Sequence, residues 1–204
     1  MEIALRTARA YTKRKRFVSC EGGYHGLSFG AMSVCGSDRY SKCVGSLMSG
    51  CDRVPFGDIG ALGAALKDRD VAGFVVEPVQ GEGGARAPPE GYLRESKELC
   101  EKHGTLLILD EIQTAFGRTG KMFALEHEKV TPDILTLSKS LGAGVVPISA
   151  SITTPEIFDR AFGQGDNFDM AISTFGGNAR ACAAAIKTIE IMLRDHIPER
   201  AASL

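Results

Sequence analysis

Short apolar runs alternate with stretches of helical periodicity along the chain. Five runs predict β-strands, at residues 17–20, 73–79, 105–110, 134–137 and 148–152. The runs at 73–79 and 105–110 barely alternate between apolar and polar positions, which is typical of strands buried on both faces. Helical patterns separate the strands, at residues 59–68, 90–103 and 178–194.

Residue types at the helix ends support these boundaries. The pattern at 90–103 follows Pro88 and Pro89 and stops before Gly104, a residue that favours the left-handed conformation of a C-cap. The pattern at 178–194 begins with Asn178, a good N-cap. Strands separated by helices predict an α/β fold, with a mostly parallel sheet and helices on both faces. In such sheets, ligands bind at the carboxyl ends of the strands.

The composition is that of a soluble globular domain. The chain has 204 residues, a formal net charge of −1, 44% apolar and 24% charged residues. These values argue against intrinsic disorder and against a strongly basic nucleic-acid-binding protein. No apolar run approaches the roughly 20 residues that span a bilayer, and residues 1–16 lack the apolar core of a secretion signal. The basic run at 13–16 predicts a solvated helix end.

The cysteines do not form a recognisable metal-binding or redox motif. Cys20, Cys35, Cys43, Cys51, Cys100 and Cys182 include no CxxC pair, and no histidine stands beside them at metal-ligand spacing. We therefore predict reduced thiols in a cytoplasmic protein, without a metal site.

Polar side chains follow three of the predicted strands at the point where each strand ends. Glu77, Asp110 and Lys139 should converge on one edge of the sheet. Each alone has an ordinary explanation, because an aspartate after a strand commonly caps a helix and most lysines are solvated. A lysine between an apolar strand and a glycine-rich turn should be partly desolvated, which favours its neutral, nucleophilic form. An amine and a buried carboxylate together suit pyridoxal phosphate (PLP) chemistry.

Several segments resemble the class III aminotransferases, PLP enzymes of fold type I. The resemblance rests on EGGYHGLSFGAMS (21–33), VVEPVQGEGG (75–84), LDEIQTAFGRTG (109–120), LTLSKSLGAG (135–144) and STFGGNARACAAA (173–185). It covers most of the chain, and the segment GKMFALEHEKVTPDI (120–134) is most similar to putrescine aminotransferases, followed by ornithine and acetylornithine aminotransferases. It implies that residues 1–204 form most of a PLP-binding large domain.

The resemblance also implies roles for individual residues around the cofactor. Lys139 would form a Schiff base with PLP and then carry the proton between substrate and cofactor. Asp110 would pair with the pyridine nitrogen and keep it protonated, and Gln113 would hydrogen-bond the phenolic oxygen. Ile112 would pack on one face of the ring, and Tyr24 would stack on the other.

Four further residues receive less direct roles from the resemblance. His25, in the same YHG segment as the stacking tyrosine, would orient the loop of the cofactor site. Thr174 would bind the cofactor phosphate of a neighbouring subunit, which implies a homodimer with shared active sites. Glu82 would face the substrate because it follows a flexible glycine, whereas Glu77 would be a second, largely structural glutamate on that side.

The implied reaction moves an amino group from a diamine or an ω-amino acid to a 2-oxo acid such as 2-oxoglutarate. Aminomutase and decarboxylase reactions use the same residues and remain alternatives. A dinucleotide site is disfavoured because residues 80–84 lack the GxGxxG spacing.

The chain departs from the family pattern at both ends. Family members carry a phosphate-binding Ser-Gly-(Ser/Thr)-Glu-Ala segment before the position of Glu2, and a small C-terminal domain after the position of Leu204. The chain therefore resembles the middle of a longer protein. From this we expect weakened cofactor retention and low or no turnover, and a non-catalytic, dimerising remnant is the alternative function.

Overall fold

The computed structural model describes the backbone of residues 1–204 and every side chain except those of Asp166 and Phe168. The strands are Arg16–Cys20 (β1), Cys51–Val54 (β2), Val71–Val76 (β3), Leu106–Asp110 (β4), Ile134–Leu137 (β5) and Ala150–Thr153 (β6). The α-helices are Glu2–Thr12 (α1), Phe29–Ser33 (α2), Arg39–Val44 (α3), Ile59–Leu66 (α4), Tyr92–His103 (α5), Pro155–Phe162 (α6), Ala179–Arg194 (α7) and Ile197–Ala202 (α8). Short 3₁₀ helices lie at Ala124–His127, Lys139–Gly142 and Gly165–Ala171.

The strands form one mixed sheet, which confirms the predicted fold class. Their order is β2-β1-β3-β4-β5-β6, with β1 to β5 parallel and only the edge strand β6 antiparallel. All five predicted strands are present, although β3 ends at Val76 and β6 begins at Ala150. The edge strand β2 was not predicted because its sequence, CDRV, carries two charged residues and resembles a loop.

The two faces of the sheet are covered by different helices. In β4, Leu107 and Leu109 pack in the layer that contains α4 and α5, whereas Leu106 and Ile108 pack in the layer that contains α1 and α6. Alternate residues of a strand point to opposite faces, so an unbroken apolar run serves two cores. A three-layer α/β/α arrangement results.

The predicted helix caps are present in the structure. Asn178 Oδ1 accepts hydrogen bonds from the backbone N–H groups of Arg180 and Ala181, both at 3.1 Å, and α7 begins directly after it. Gly104 adopts a left-handed conformation at the end of α5, with φ 64°. Helix α6 carried comparable signals that the prediction missed: Thr154 Oγ1 accepts from the Ile157 N–H at 3.3 Å, and Pro155 opens the first turn.

The basic run at 13–16 is a solvated helix end only in part: Lys13, the C-cap of α1, and Lys15 are exposed, but the two arginines bind elsewhere in the fold. Helix α1 ends at Thr12, and Arg14 Nη1 donates to the backbone oxygens of Val71 (3.1 Å) and His103 (3.0 Å). Arg16 lies in β1 and forms ion pairs with Asp52 and Asp70. These guanidinium groups fasten the amino ends of the strands.

The structure also describes the cysteine thiols, the possible metal ligands and the length of the helices. All six cysteines are free thiols, and burial raises the pKa of Cys20 to about 12 and that of Cys51 to about 11. The described residues contain no group of three or more His, Cys, Asp or Glu side chains that could hold a metal ion. Within the same residues, no helix is both long and apolar enough to cross a bilayer.

Candidate active site

A small cleft lies where the parallel strands β1, β3, β4 and β5 end. Its volume is about 80 Å³, and its lining consists of Tyr24, His25, Gly26, Glu77, Asp110, Ile112, Gln113 and Lys139. The carboxyl ends of these neighbouring strands meet at one edge of the sheet, where ligands of such folds bind. The structure thus brings together seven of the nine residues that the sequence nominated.

Asp110 is the last residue of β4 and is buried in the floor of the cleft. Its Oδ1 accepts hydrogen bonds from Thr136 Oγ1 and from the Ile112 N–H, both at 3.1 Å. The bond to Ile112 is a local turn contact, and since the segment that follows β4 consists of turns, Asp110 does not cap a helix. The register pairs Asp110 with Thr136, so the neighbouring strand β5 helps to hold the carboxylate in place.

His25 contacts the same carboxylate from the other side. Its Nδ1 lies 2.8 Å from Asp110 Oδ2, and both side chains are almost fully buried. The backbone N–H of His25 donates to Cys35 Sγ at 3.3 Å, which ties the residue to the chain after α2. His25 therefore orients both its loop and the carboxylate, a contact the sequence could not show across 85 residues.

Lys139 follows β5 in a strained backbone conformation. Its φ of 43° is in the left-handed region, which is unusual for a residue with a long side chain. Its Nζ donates to Gln113 Oε1 at 2.6 Å. The predicted desolvation is not observed, because the lysine side chain is exposed at the mouth of the cleft.

Glu77 joins the loops that follow β1 and β3. Its carboxylate accepts hydrogen bonds from the backbone N–H groups of Tyr24 at 2.9 Å and Gly81 at 3.4 Å. Burial raises the pKa of Glu77. A Cβ on Gly81 would collide with Gln113 Nε2, so the glycine lets this loop approach the amide closely. Glu77 thus links the loop of Tyr24 to the loop of Gly81.

Two nominated residues do not line the cleft. Glu82 is exposed on the glycine-rich loop after β3, and Thr174 is exposed in the segment before α7. The substrate-side role of Glu82 and the phosphate-binding role of Thr174 stay predictions.

Sequence reasoning missed two polar residues next to the cleft. Thr136 is a buried hydroxyl in the otherwise apolar strand ILTL, a signal that was available. Glu111 is completely buried, and it accepts hydrogen bonds from the backbone N–H groups of Ala124 (2.8 Å) and Leu125 (2.7 Å) and from Thr114 Oγ1 (2.9 Å). Glu111 fastens the segment after β4, and burial raises its pKa.

A larger groove of about 480 Å³ lies beside α7 and the 3₁₀ turn that Lys139 opens. Its lining is mostly apolar and includes Phe116, Val145, Ile191 and Met192, with Lys187 as the charged member. This groove presents mainly apolar surface, whereas the smaller cleft contains the titratable groups that a reaction would need.

The whole chain matches one family of known proteins. The family is described as aminotransferase class-III, and the match covers residues 1–204. The chain belongs to the class III aminotransferases. This membership confirms the family that the sequence motifs indicated.

Solved aminotransferases share both sequence and fold with the chain. Two structures of the ornithine aminotransferase from Toxoplasma gondii are 38% and 39% identical to it, each with a TM-score of 0.89 over 97% of this chain and 48% of that chain. An aminotransferase from Bacillus anthracis is 31% identical, with a TM-score of 0.92 over 99% of this chain and 51% of that chain. The acetylornithine aminotransferase from Elizabethkingia anophelis is 35% identical, with a TM-score of 0.78 over 98% and 47% of the two chains. This class III chain thus spans about half the length of the solved structures it matches.

Class III aminotransferases use PLP, and one of the Toxoplasma gondii structures has partial occupancy of PLP at its active site. The donor set of the cleft fits this cofactor. It combines the primary amine of Lys139, the buried carboxylate of Asp110 and the amide of Gln113 with the side chains of Ile112 and Tyr24. An amine suits an aldehyde, and a buried carboxylate suits a protonated ring nitrogen.

Proposed function

We propose that the chain is the larger part of the PLP-binding domain of an aminotransferase that takes an amino group from a diamine or an ω-amino acid. The acceptor is a 2-oxo acid such as 2-oxoglutarate. The ornithine and acetylornithine aminotransferases among its structural neighbours support this substrate class.

Each residue of the cleft has one task in the proposed reaction. Bound PLP supplies an aldehyde that takes up the amino group and a ring that accepts electrons. Asp110 would hold a proton on the ring nitrogen, and Gln113 would bind the phenolic oxygen. Lys139 Nζ would hold the cofactor at its aldehyde group and would carry the proton of the substrate carbon. Ile112 and Tyr24 would enclose the ring and exclude water from its faces.

The main support for the proposal is the placement of an amine and a carboxylate at the same cleft. An amine and a buried carboxylate face the same small cleft from the ends of the adjacent strands β4 and β5, with Gln113 bound to the amine. The strained φ of Lys139 adds support, because backbone strain clusters at functional sites.

The proposal includes a homodimer in the cytoplasm, with Thr174 acting on the partner's cofactor. The exposure of Thr174 and of its neighbour Phe175 supports a role at a subunit boundary. The six unpaired cysteines support a reducing compartment.

The test is covalent capture of the cofactor by the 204-residue chain. PLP is added, the mixture is reduced with borohydride, and the digested protein is analysed by mass spectrometry. We expect the cofactor on the peptide that contains Lys139 and none on any peptide of Lys139→Ala. Lys187→Ala is the matched control, because it removes another exposed lysine outside the cleft and should leave the labelling unchanged.

Turnover assays then separate the two functions. Formation of glutamate from 2-oxoglutarate with putrescine or ornithine supports the aminotransferase. Capture of PLP with low turnover is the result expected of this chain, whereas a chain that dimerises but captures no PLP would favour the non-catalytic, dimerising alternative. Labelling spread over many lysines, unaffected by Lys139→Ala, would contradict the proposed site.

A further inference from the structure

Two buried polar atoms behind the cleft have no partner among the described residues. They are His25 Nε2 and Gln80 Oε1, and both side chains are almost fully buried. Buried polar atoms are normally hydrogen-bonded, either to protein or to an ordered water. The other ring nitrogen of His25, Nδ1, contacts Asp110, so His25 Nε2 is linked through the imidazole ring to the carboxylate of the proposed active site.

A backbone carbonyl group fixes the orientation of the Gln80 side-chain amide. Gln80 Nε2 donates to the carbonyl oxygen of Glu21 at 2.9 Å. If the amide nitrogen and oxygen exchanged places, Gln80 Oε1 would face that carbonyl oxygen, and two acceptors would oppose each other. Gln80 Oε1 is therefore a free acceptor. Its backbone is held as well, because it exchanges two hydrogen bonds with Arg86 across an isolated bridge.

His25 Nε2 is a second acceptor when Nδ1–H is directed at Asp110 Oδ2, because that tautomer leaves the lone pair of the ring on Nε2. The two acceptors flank the same turn, Gly22–Gly23. A Cβ on Gly23 would lie 3.1 Å from His25 Nε2 and 3.8 Å from Gln80 Nε2, and a Cβ on Gly22 would lie 3.0 Å from Gln80 Oε1.

We propose that Gln80 is a positioning residue of the active site, which acts on Asp110 through a buried water and His25. One water molecule has two O–H groups, and these match the two free acceptors, Gln80 Oε1 and His25 Nε2. The water occupies the Nε2 lone pair and so keeps Nδ1–H directed at Asp110. The proposed function assigns this carboxylate to the ring nitrogen of the cofactor, and in this respect the inference rests on the proposed function.

The direct test is a high-resolution crystal structure of the chain. We expect an ordered water within about 3.2 Å of both His25 Nε2 and Gln80 Oε1. Well-defined density without that water would overturn the inference. So would a direct bond from Arg86 to Gln80 Oε1 in its place, since a Cβ on Gly22 would also lie 3.6 Å from Arg86 Nη1.

The second test is the tautomer of His25, measured by ¹⁵N NMR without any cofactor. In the wild type we expect a protonated Nδ1 and a hydrogen-bonded, unprotonated Nε2. Gln80→Met keeps the shape of the side chain but removes the acceptor, so the Nε2 signal should lose its hydrogen-bonded shift. The matched control is Thr105→Val, a similar replacement of a buried polar group at the opposite end of the sheet, which should leave the His25 signals unchanged. Equal spectra for wild type and Gln80→Met would overturn the inference.

The third test connects Gln80 to the cofactor. Gln80→Met should bind PLP roughly tenfold more weakly than the wild type, as expected when a hydrogen bond to a charged system is lost. Thr105→Val should bind PLP as the wild type does, and equal affinity of Gln80→Met would contradict the role in the active site. If no variant binds PLP, the proposed function fails, whereas the crystal structure and the tautomer still decide the bridge between Gln80 and His25.

Discussion

Asp110 combines burial with three hydrogen-bonding partners, and this arrangement fixes the carboxyl group at the end of β4. Thr136 Oγ1 and the Ile112 N–H hold one carboxylate oxygen, and His25 holds the other. Asp110→Asn retains the shape and the acceptor oxygen but removes the charge. Because hydrogen bonds to charged groups contribute about 1.5–3 kcal/mol, we expect PLP to bind roughly tenfold to hundredfold more weakly.

The control for that prediction is a second carboxylate in the same sheet. Asp133 accepts from the Leu107 N–H at 2.8 Å and from Lys97 Nζ at 2.7 Å, away from the cleft lining. Asp133→Asn should lower the free energy of unfolding by about 1–3 kcal/mol and leave the PLP affinity unchanged. Equal affinities for wild type and Asp110→Asn, measured by fluorescence titration, would remove Asp110 from the cofactor site.

Glu111 should make the stability of the chain depend on pH. Burial raises its pKa in the folded state, so the native protein holds this proton more tightly than the unfolded chain does. Its contribution to stability is therefore complete below the unfolded value, about 4.3, and declines as the pH rises through the folded pKa. Glu111→Gln does not titrate, and its NH₂ group faces backbone donors.

The measurement compares wild type and Glu111→Gln in urea at several pH values. We expect Glu111→Gln to be less stable by about 1–3 kcal/mol near pH 5, with a smaller difference at pH 8. Comparing the two chains cancels the titration of all other groups. A difference that grows from pH 5 to pH 8 would show that the hydrogen bonds to Ala124 and Leu125 outweigh the cost of burial.

At the scale of elements, two glycines should respond in opposite ways to the same substitution. Gly73 lies in the central strand β3, and a Cβ there would be 2.8 Å from Ile108 Cδ1. Gly63 lies inside α4, where the nearest atoms to a Cβ are the Leu99 methyl groups at 3.8 and 3.9 Å. Thermal unfolding should show Gly73→Ala destabilised by about 1–3 kcal/mol through overpacking.

Gly63→Ala should instead be stabilised by about 0.5–1 kcal/mol, because alanine favours a helix and the added methyl group meets only ordinary contacts. If both substitutions destabilised the chain equally, the packing between α4 and α5 would be tighter than the structure shows.

The same elements show what the sequence could and could not predict. Parallel strands with apolar runs place their carboxyl ends together, so the meeting of Glu77, Asp110 and Lys139 followed from strand order. The bond between His25 and Asp110 did not follow, because it depends on how the loop after β1 folds over the sheet. The exposure of Lys139 also depends on packing around its turn, which local sequence does not encode.

At the scale of the whole molecule, most exposed large apolar side chains lie between residues 145 and 193, among them Val145, Ile172 and Phe175. Helix α7 has two apolar stripes. Ala181, Ala185, Thr188 and Met192 face inward, whereas Ile186, Ile189 and Leu193 repeat at helical spacing on an outer face. The two stripes are adjacent around the helix, so α7 has an apolar face wider than the part that packs on the fold. The outer stripe of α7 therefore fits an interface.

The role of this stripe in the proposed homodimer can be tested by measuring the molecular mass of the chain by sedimentation. The wild-type chain should sediment at twice its mass of 21.7 kDa, and the double variant Ile186→Glu/Leu193→Glu should shift to the monomer mass because charges in an apolar interface are desolvated. Val44→Glu is the matched control, since it places the same charge on an exposed apolar position of α3 and should leave the mass unchanged. A wild type that stays monomeric up to high micromolar concentrations would show that two copies of this chain do not cover the stripe. The shared active site, with Thr174 of one copy on the cofactor of the other, would then fail with it.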